Sequence, residues 1–365
     1  MRLLEEGRRI GDNYEVERFL GEGAFAEVYR VRHRFFGRQA LKVFKRTGTM
    51  AETEDMLGEA ILLSQIGHPN IVRVFNADIV PTPRGQYGFF TMEYVAGGNL
   101  QNFWISHRNR FVPIDVAVRI LRQISEGIGV AHLADPPIIH RDITPQNILV
   151  GYDAEGIRAR VSDFGLAKRL DPLVMLASTK GTLAFKAPES LIGRGDSPAS
   201  DVWAIGTIAY LLLTDTLPYE DDGPTSFFGT QHRVPPLPPH RFNPDVDEEL
   251  DRIVLEALDP DPASRIPNAG ALAADLMSWQ ATHSHLLAKH AVDLPKQTSK
   301  NVLGRHSPVS EEDAKRLAKQ ALSLGRQAAT LPEADDAMEE AFNTWADLRA
   351  EHEWRLRLWR KGVVT

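Results

Sequence analysis

The alternation of apolar and polar positions changes character along the chain, and each change predicts a different element. From Glu27 to His33, β-branched and aromatic residues alternate with polar ones, the two-residue period of a half-buried strand. From Thr53 to Ile66, Met56, Ile61, Leu62, Leu63 and Ile66 recur at roughly helical spacing. Gly67-His68-Pro69-Asn70 then stops that helix before a new strand at Ile71. The stretch from Asp201 to Leu213 is apolar on nearly every side, which predicts a helix buried in a large body. It is too short for a bilayer span, which needs about 20 residues, so no transmembrane segment is expected.

Past Trp279 the pattern weakens, and Ser284 to Pro308 is polar and broken by Pro295, Gly304 and Pro308, which predicts a linker over 283–309. A helical appendage follows over 310–361. Ser310-Glu311-Glu312-Asp313 resembles a capping box, after which Ala314, Leu317, Ala318, Ala321 and Leu324 fall on one face. Thr330-Leu331-Pro332 turns the chain, and Ala334, Ala337, Met338, Ala341, Phe342, Trp345 and Leu348 form a second face. Two antiparallel helices, a hairpin, are the simplest expectation. Trp345, Trp354 and Trp359 sit among Arg355, Arg357, Arg360 and Lys361, more aromatic surface than two thin helices can hide. That surface either docks back on the main body or forms a groove for a partner protein. An anionic membrane surface is a third occupant, opposed by Glu351 and Glu353.

Composition narrows the class. The 365 residues are 43% hydrophobic and 25% charged, ordinary for a globular protein. With no cysteine, disulfides and thiolate metal sites are excluded, and a reducing compartment fits. The first thirteen residues carry Arg2, Arg8 and Arg9 without a long apolar core, so no secretory signal is expected and the chain reads as cytoplasmic. A formal net charge of -7 argues against a dedicated nucleic-acid binder. The oligomeric state stays open.

The chemistry is concentrated in a few short runs. His140-Arg141-Asp142, with Asn147 five positions beyond the aspartate and Asp163-Phe164-Gly165 sixteen beyond the asparagine, reads as a phosphoryl-transfer site. Such a site needs a carboxylate to meet the substrate hydroxyl, and an amide oxygen with a second carboxylate to hold magnesium ions on the nucleotide phosphates. Upstream, Gly21-Glu22-Gly23-Ala24-Phe25-Ala26 followed by Val28 is a glycine-rich loop whose backbone N–H groups can approach phosphate. A dinucleotide-binding reading of those glycines would need a helix straight after them, and a strand pattern follows instead.

From about Tyr14 to about Thr282 the chain resembles the protein kinase family, with the motifs in order. The resemblance implies a bilobal α+β fold, a small sheet-rich lobe (about 14–92) over a mainly helical one (about 93–282). It implies ATP with Mg²⁺, or Mn²⁺, as cofactors and protein as substrate. Lys42, in Ala40-Leu41-Lys42-Val43, would pair with the α- and β-phosphates and with a helix glutamate, for which Glu59 is the candidate. Val28, Ala40 and Leu149 would sandwich the adenine, and the backbone of Glu93 and Val95 would bond its edge. Met92 would guard the back of that pocket or simply fill core. Asp142 would be the base, and Asn147 and Asp163 the metal ligands.

Two positions depart from the family pattern. Ala26 replaces the third glycine, which stiffens the loop. Two residues past Asp142, where most serine/threonine kinases carry a lysine on the γ-phosphate, stands Thr144. Losing such a donor costs about 3 kcal/mol of transition-state stabilisation, which predicts reduced rather than absent activity, with the Thr144 hydroxyl taking part of the contact. Gly181 to Glu189 resembles the end of an activation segment of the serine/threonine branch, so Thr182 would bond Asp142. Phosphate on Ser178 or Thr179 would pair with Arg141 and order the segment. Asp201 would tie its helix to the backbone at His140 and Arg141, and Arg265 would form a buried ion pair with Glu189. Serine/threonine phosphorylation, with autophosphorylation of the segment, is the expected activity. The rival is a pseudokinase scaffold that binds nucleotide or a partner with little turnover.

Overall fold

The computed structural model describes residues 2–23, 26–45, 58, 66–107, 111–153, 156–164, 183–219, 235–283, 311–345, 348–360 and 362–365. The chain divides into two compact units, Met1–Val95 and Ala96–Thr365. Glu59 and most of the helix expected over 53–66 lie outside the described residues, as does the linker beyond His283. So do Ala24 and Phe25 of the glycine-rich loop, Gly165, and the segment with Ser178, Thr179, Gly181 and Thr182.

The first unit is one antiparallel sheet built from β1 (Arg9–Ile10), β2 (Tyr14–Glu22), β3 (Ala26–His33), β4 (Gly37–Phe44), β5 (Val74–Thr82) and β6 (Gly85–Glu93), in the order β1-β2-β3-β4-β6-β5. The expected strand at Glu27–His33 is β3. Its alternation has a plain cause: Tyr29 and Val31 face a core with Val16, Leu41, Val43, Val80 and Phe89. Leu4 and Ile10 also enter that core, and Glu27 Oε2 accepts the Leu3 amide at 2.9 Å. Residues before Tyr14 thus pack into the same core.

In the second unit, α1 (Leu100–Ser106) and α2 (Ile114–His132) precede a hairpin of β7 (Ile148–Asp153) and β8 (Gly156–Val161). The side chain of Gln123 fastens the hairpin to α2, donating to Ile157 O at 3.1 Å and accepting from Ala159 N at 2.7 Å. Then come α3 (Pro188–Leu191), α4 (Pro198–Thr214), α5 (Glu248–Ala257) and α6 (Ala269–Thr282). The expected buried helix is α4, in which every residue from Ala199 to Thr214 is buried. Among the described residues no helix is long and apolar enough to cross a membrane.

The appendage has three helices, not the expected two: α7 (Glu311–Leu324), α8 (Leu331–Thr344) and α9 (Leu348–Trp359). Leu348, counted with the second helical face, instead starts α9, because the chain leaves helical geometry at Trp345 (φ -148°, ψ 99°). The third helix also resolves much of the surplus aromatic surface. Trp359 is 3% exposed among Ala314, Ala318, Ala321, Met338 and Phe342, whereas Trp354 remains 51% exposed. The bundle docks on the body of its own unit. The Arg349 guanidinium lies 3.1 Å over the ring of Tyr152 on β7 and 4.6 Å over that of Phe342 on α8. Burial in this contact pushes the Tyr152 hydroxyl up to about 12.

Candidate active site

In the first unit the strand register decides which residues share a surface. Val28 pairs with Lys42, Ala40 with Met92, and Lys42 with Phe90, so these residues occupy one face of β3, β4 and β6. The opposite face carries Tyr29, Leu41, Val43 and Phe89 into the core. Lys42 is only 3% exposed, with its ammonium 5.5 Å from the centre of the Phe90 ring. Gly23 N donates to Ala26 O at 2.9 Å where β2 turns into β3. A Cβ placed on Gly21 or Gly23 would meet no protein atom within 4 Å, so nothing in the described protein itself requires glycine there. An absent side chain over open space suits close approach of a phosphate-bearing ligand to the backbone.

In the second unit the run His140-Arg141-Asp142 is fixed mainly by one carboxylate. Asp201, 2% exposed in the first turn of α4, accepts from His140 N at 2.8 Å and Arg141 N at 2.9 Å. It also accepts from His132 Nε2 at 2.9 Å. The proton on that nitrogen follows from the other side of the ring, where Nδ1 accepts Ala269 N at 3.2 Å. His140 is held by the same logic: Nδ1 accepts Asp142 N at 3.2 Å, and Nε2 donates to Ser162 O at 2.9 Å. These bonds hold Arg141 at φ 70°, a left-handed conformation disfavoured for its side chain.

Asn147 and Asp163 are brought together by the hairpin between them. Ile148 pairs with Val161, and Ser162 donates to Asn147 O from its amide at 2.8 Å and its hydroxyl at 3.0 Å. Asp163 follows at φ 63°, with Phe164 fully buried against the His140 ring, 4.5 Å between centroids. The Asn147 amide nitrogen donates to Asp142 O at 2.8 Å and Asp142 Oδ2 at 3.1 Å. That orientation leaves Asn147 Oδ1 without a hydrogen-bond donor among the described residues. An amide oxygen free to coordinate, next to a carboxylate, is a donor set that suits Mg²⁺.

Residues 14–277 match the family model described as the protein kinase domain. The chain belongs to the protein kinase family. It is 30% identical over 277 residues to the serine/threonine-protein kinase PknB of Mycolicibacterium smegmatis, covering 74% of this chain and 43% of that one. To serine/threonine-protein kinase Pkn1 of Myxococcus xanthus it is 33% identical over 290 residues, 78% of this chain and 40% of that one. The chain thus spans less than half the length of these two relatives. A crystallised mutant of the PknI kinase domain of Mycobacterium tuberculosis superposes with a TM-score of 0.56 at 26% identity, covering 76% of this chain and 99% of that one.

The resemblance implied a buried ion pair between Glu189 and Arg265, and it forms. Arg265, its side chain fully buried, donates to both carboxylate oxygens of Glu189, at 2.7 and 3.0 Å. It also donates to Ala199 O and Asp259 O, each at 2.8 Å. Gly97 and Gly98 run against β7: Val150 N donates to Gly98 O at 2.9 Å, and a Cβ on Gly97 would sit 2.1 Å from Val150 O. This places Leu149 beside Asn99 in an isolated bridge. Glu93 and Val95 are half-buried at the end of the first unit, with Glu93 N committed to Arg73 O at 2.8 Å. Arg141 faces Asp196 at 3.4 Å. Thr144 is 4% exposed and makes no side-chain cap on the 3-10 turn Pro145–Asn147.

Motif reading passed over three groups. His132 and Ser162 lie outside the runs singled out, and their roles come from contacts distant in sequence. Lys186 lay inside the run Gly181–Glu189 without a role. Its ammonium stands 3.8 Å from Asp142 Oδ1 and donates closely to Arg141 O. Its signal was available: a cation in the run Gly181–Glu189, in a chain with Thr144 where most serine/threonine kinases carry a lysine.

Proposed function

We propose that the chain is an ATP- and Mg²⁺-dependent serine/threonine protein kinase, with the kinase domain over 14–282 and the C-terminal helices as a docked accessory. The observation that carries this reading is the grip of Asn147 on Asp142. One amide orients the base and presents its own oxygen for a metal, while Ser162 ties the same residue to the strand that delivers Asp163. Asp142 would receive the proton of a substrate Ser or Thr hydroxyl as its oxygen attacks the γ-phosphorus. Asn147 and Asp163 would hold Mg²⁺, which when bound offsets the charge on the phosphate oxygens. Lys42 and the backbone of the loop at Gly21–Gly23 would hold the phosphates, and Val28, Ala40 and Leu149 the adenine. The Glu93 and Val95 backbone would bond the adenine edge, with Met92 behind it.

Glu59 is proposed as the partner of Lys42, and Ser178, Thr179 and Thr182 as the phosphorylated or substrate-facing positions of the segment. Incubation with Mg²⁺ and labelled ATP, beside Asp142→Ala, tests the reading. Label on Ser or Thr with the native protein alone is the expected result. Equal labelling with the variant, or none with either, would overturn it and leave the scaffold reading.

A further inference from the structure

Thr144 supplies no cation beside Asp142, but Lys186, from another loop, brings one near. Lys186 lies two residues before the start of α3, and its flanking residues Phe185 and Ala187 are 3% and 2% exposed. A turn from Lys186 N to Leu183 O at 3.1 Å fixes the backbone there. With both neighbours packed into the body, the lysine projects the other way, toward the catalytic loop. Its side chain is 11% exposed, and its ammonium sits between Arg141 O and Asp142 Oδ1, the latter at 3.8 Å. Arg141, Asp142, Thr144 and Lys186 line one small recess together with Asp201. Desolvating an ammonium is expensive unless it is paired, and the partner here is the carboxylate proposed to take the substrate proton. An ion pair with a remote structural carboxylate would explain burial alone; Asp142 is instead the carboxylate that Asn147 also orients.

We propose that Lys186 is a catalytic residue that takes the part Thr144 leaves vacant, placing a positive charge beside the γ-phosphoryl group as it transfers. In that step the substrate hydroxyl oxygen bonds to the γ-phosphorus while the bond to the bridging oxygen breaks. That electron pair leaves with ADP, and the hydroxyl proton passes to Asp142. Lys186 keeps its proton throughout and bears on the phosphoryl oxygens. The inference rests on the kinase reading above and deepens it, since it assigns the positive charge to a loop that also receives the protein substrate. A lysine rooted there ties phosphoryl stabilisation to the conformation of the substrate-binding segment, whereas a lysine rooted beside Asp142 would be in place regardless.

The test compares native protein with Lys186→Met and Lys186→Gln, the second keeping a donor for Arg141 O without the charge. In single-turnover phosphorylation at saturating ATP both should fall about a hundredfold in rate. Adding Thr144→Lys to Lys186→Met should recover about tenfold. Calorimetry supplies a readout independent of turnover. Native protein should bind a non-hydrolysable Mg·ATP analogue more tightly than Mg·ADP, and both Lys186 variants should lose most of that preference. Thermal melts establish that each variant is folded, and Lys186→Gln carries the test if Lys186→Met is not. Unchanged or faster phosphorylation in Lys186→Gln, or an intact preference for the triphosphate analogue, overturns the inference while the kinase reading stands. Native protein that labels no better than Asp142→Ala overturns both.

Discussion

The catalytic loop and the C-terminal bundle belong to the same compact unit and are held together in opposite ways. Around His140–Asp163 the fixing contacts are polar and individually irreplaceable: Asp201 accepts three donors, Asn147 grips Asp142, and Glu189 takes both arms of Arg265. The bundle is held by size. Ala314, Ala318 and Ala321 of α7 and Ala334 and Ala341 of α8 are all almost fully buried, packed with Met338, Phe342, Leu348, Leu356 and Trp359. A polar scaffold fixes angles, because each hydrogen bond weakens steeply off axis. Alanine packing fixes distance only, and suits an accessory that must sit in place without aligning reacting atoms.

The contrast breaks most sharply at Glu189→Ala. It removes both acceptors of a guanidinium whose side chain is fully buried and leaves that charge unmatched. The expected loss is about 3 to 5 kcal/mol, read as a shift in the urea midpoint by circular dichroism. Replacing Glu189 and Arg265 together with apolar residues should recover much of it, since the isolated charge carries the penalty. A single variant that loses under about 1 kcal/mol would mean that Ala199 O and Asp259 O suffice to hold Arg265.

This difference in bonding also explains what could be read from the chain. Asp142, Asn147 and Asp163 were picked out by residue type and spacing, whereas Asp201, Glu189 and Arg265 came from the family resemblance, and the contacts of Asp201 with His140 N and Arg141 N and of Arg265 with Glu189 are present. The fully buried α4 was legible for a related reason, an uninterrupted apolar run that admits one environment. In the bundle, apolar faces gave the helices but not their number. An alanine face states that something packs there without saying what, and the break at Trp345 carries no proline or glycine to announce it. Lys186 was missed because its meaning lies in a contact 45 residues away in sequence, with the backbone of Arg141. His132, which braces Asp201, was hidden among the apolar residues of α2.

Gly325→Ala probes packing by size. It lies just past α7, and an added Cβ would stand 2.2 Å from Trp359 Cζ2 and 2.4 Å from Cε2. An indole ring cannot bend away as a flexible chain end would, and Trp359 is further held by its Nε1–H donating to Thr365 Oγ1 at 2.7 Å. One methyl group should therefore cost about 1 to 3 kcal/mol, confined to 311–360 and seen as faster amide hydrogen exchange there. Protection of the catalytic hairpin, β7 and β8, should change little beyond the contact of Tyr152 with Arg349. Equal deprotection of both regions would erase the distinction between them.

The smallest expected effect distinguishes the two regions by pH. Burial pushes the Glu339 carboxyl up from 4.5 to about 7, against the pull of Arg360, which pairs with it, and of Arg349; Asp335 nearby adds to the rise. A carboxyl whose folded pKa exceeds its unfolded value binds more protons when folded. Its contribution is thus fully present below about 4.5 and is lost as pH rises through about 7. Between pH 6 and 7 the loss is about 1 kcal/mol. His352, pushed down mainly by burial, acts with the opposite sign in an overlapping range, so native protein alone is ambiguous. Comparison with Glu339→Gln removes the ambiguity, because His352 is common to both. Bundle stability, followed by exchange over 311–360, should fall more steeply from pH 6 to 7 in native protein than in the variant. Parallel profiles would mean that Arg360 fully compensates the buried carboxylate, and the bundle would then share the charge-paired character of the Glu189–Arg265 strut.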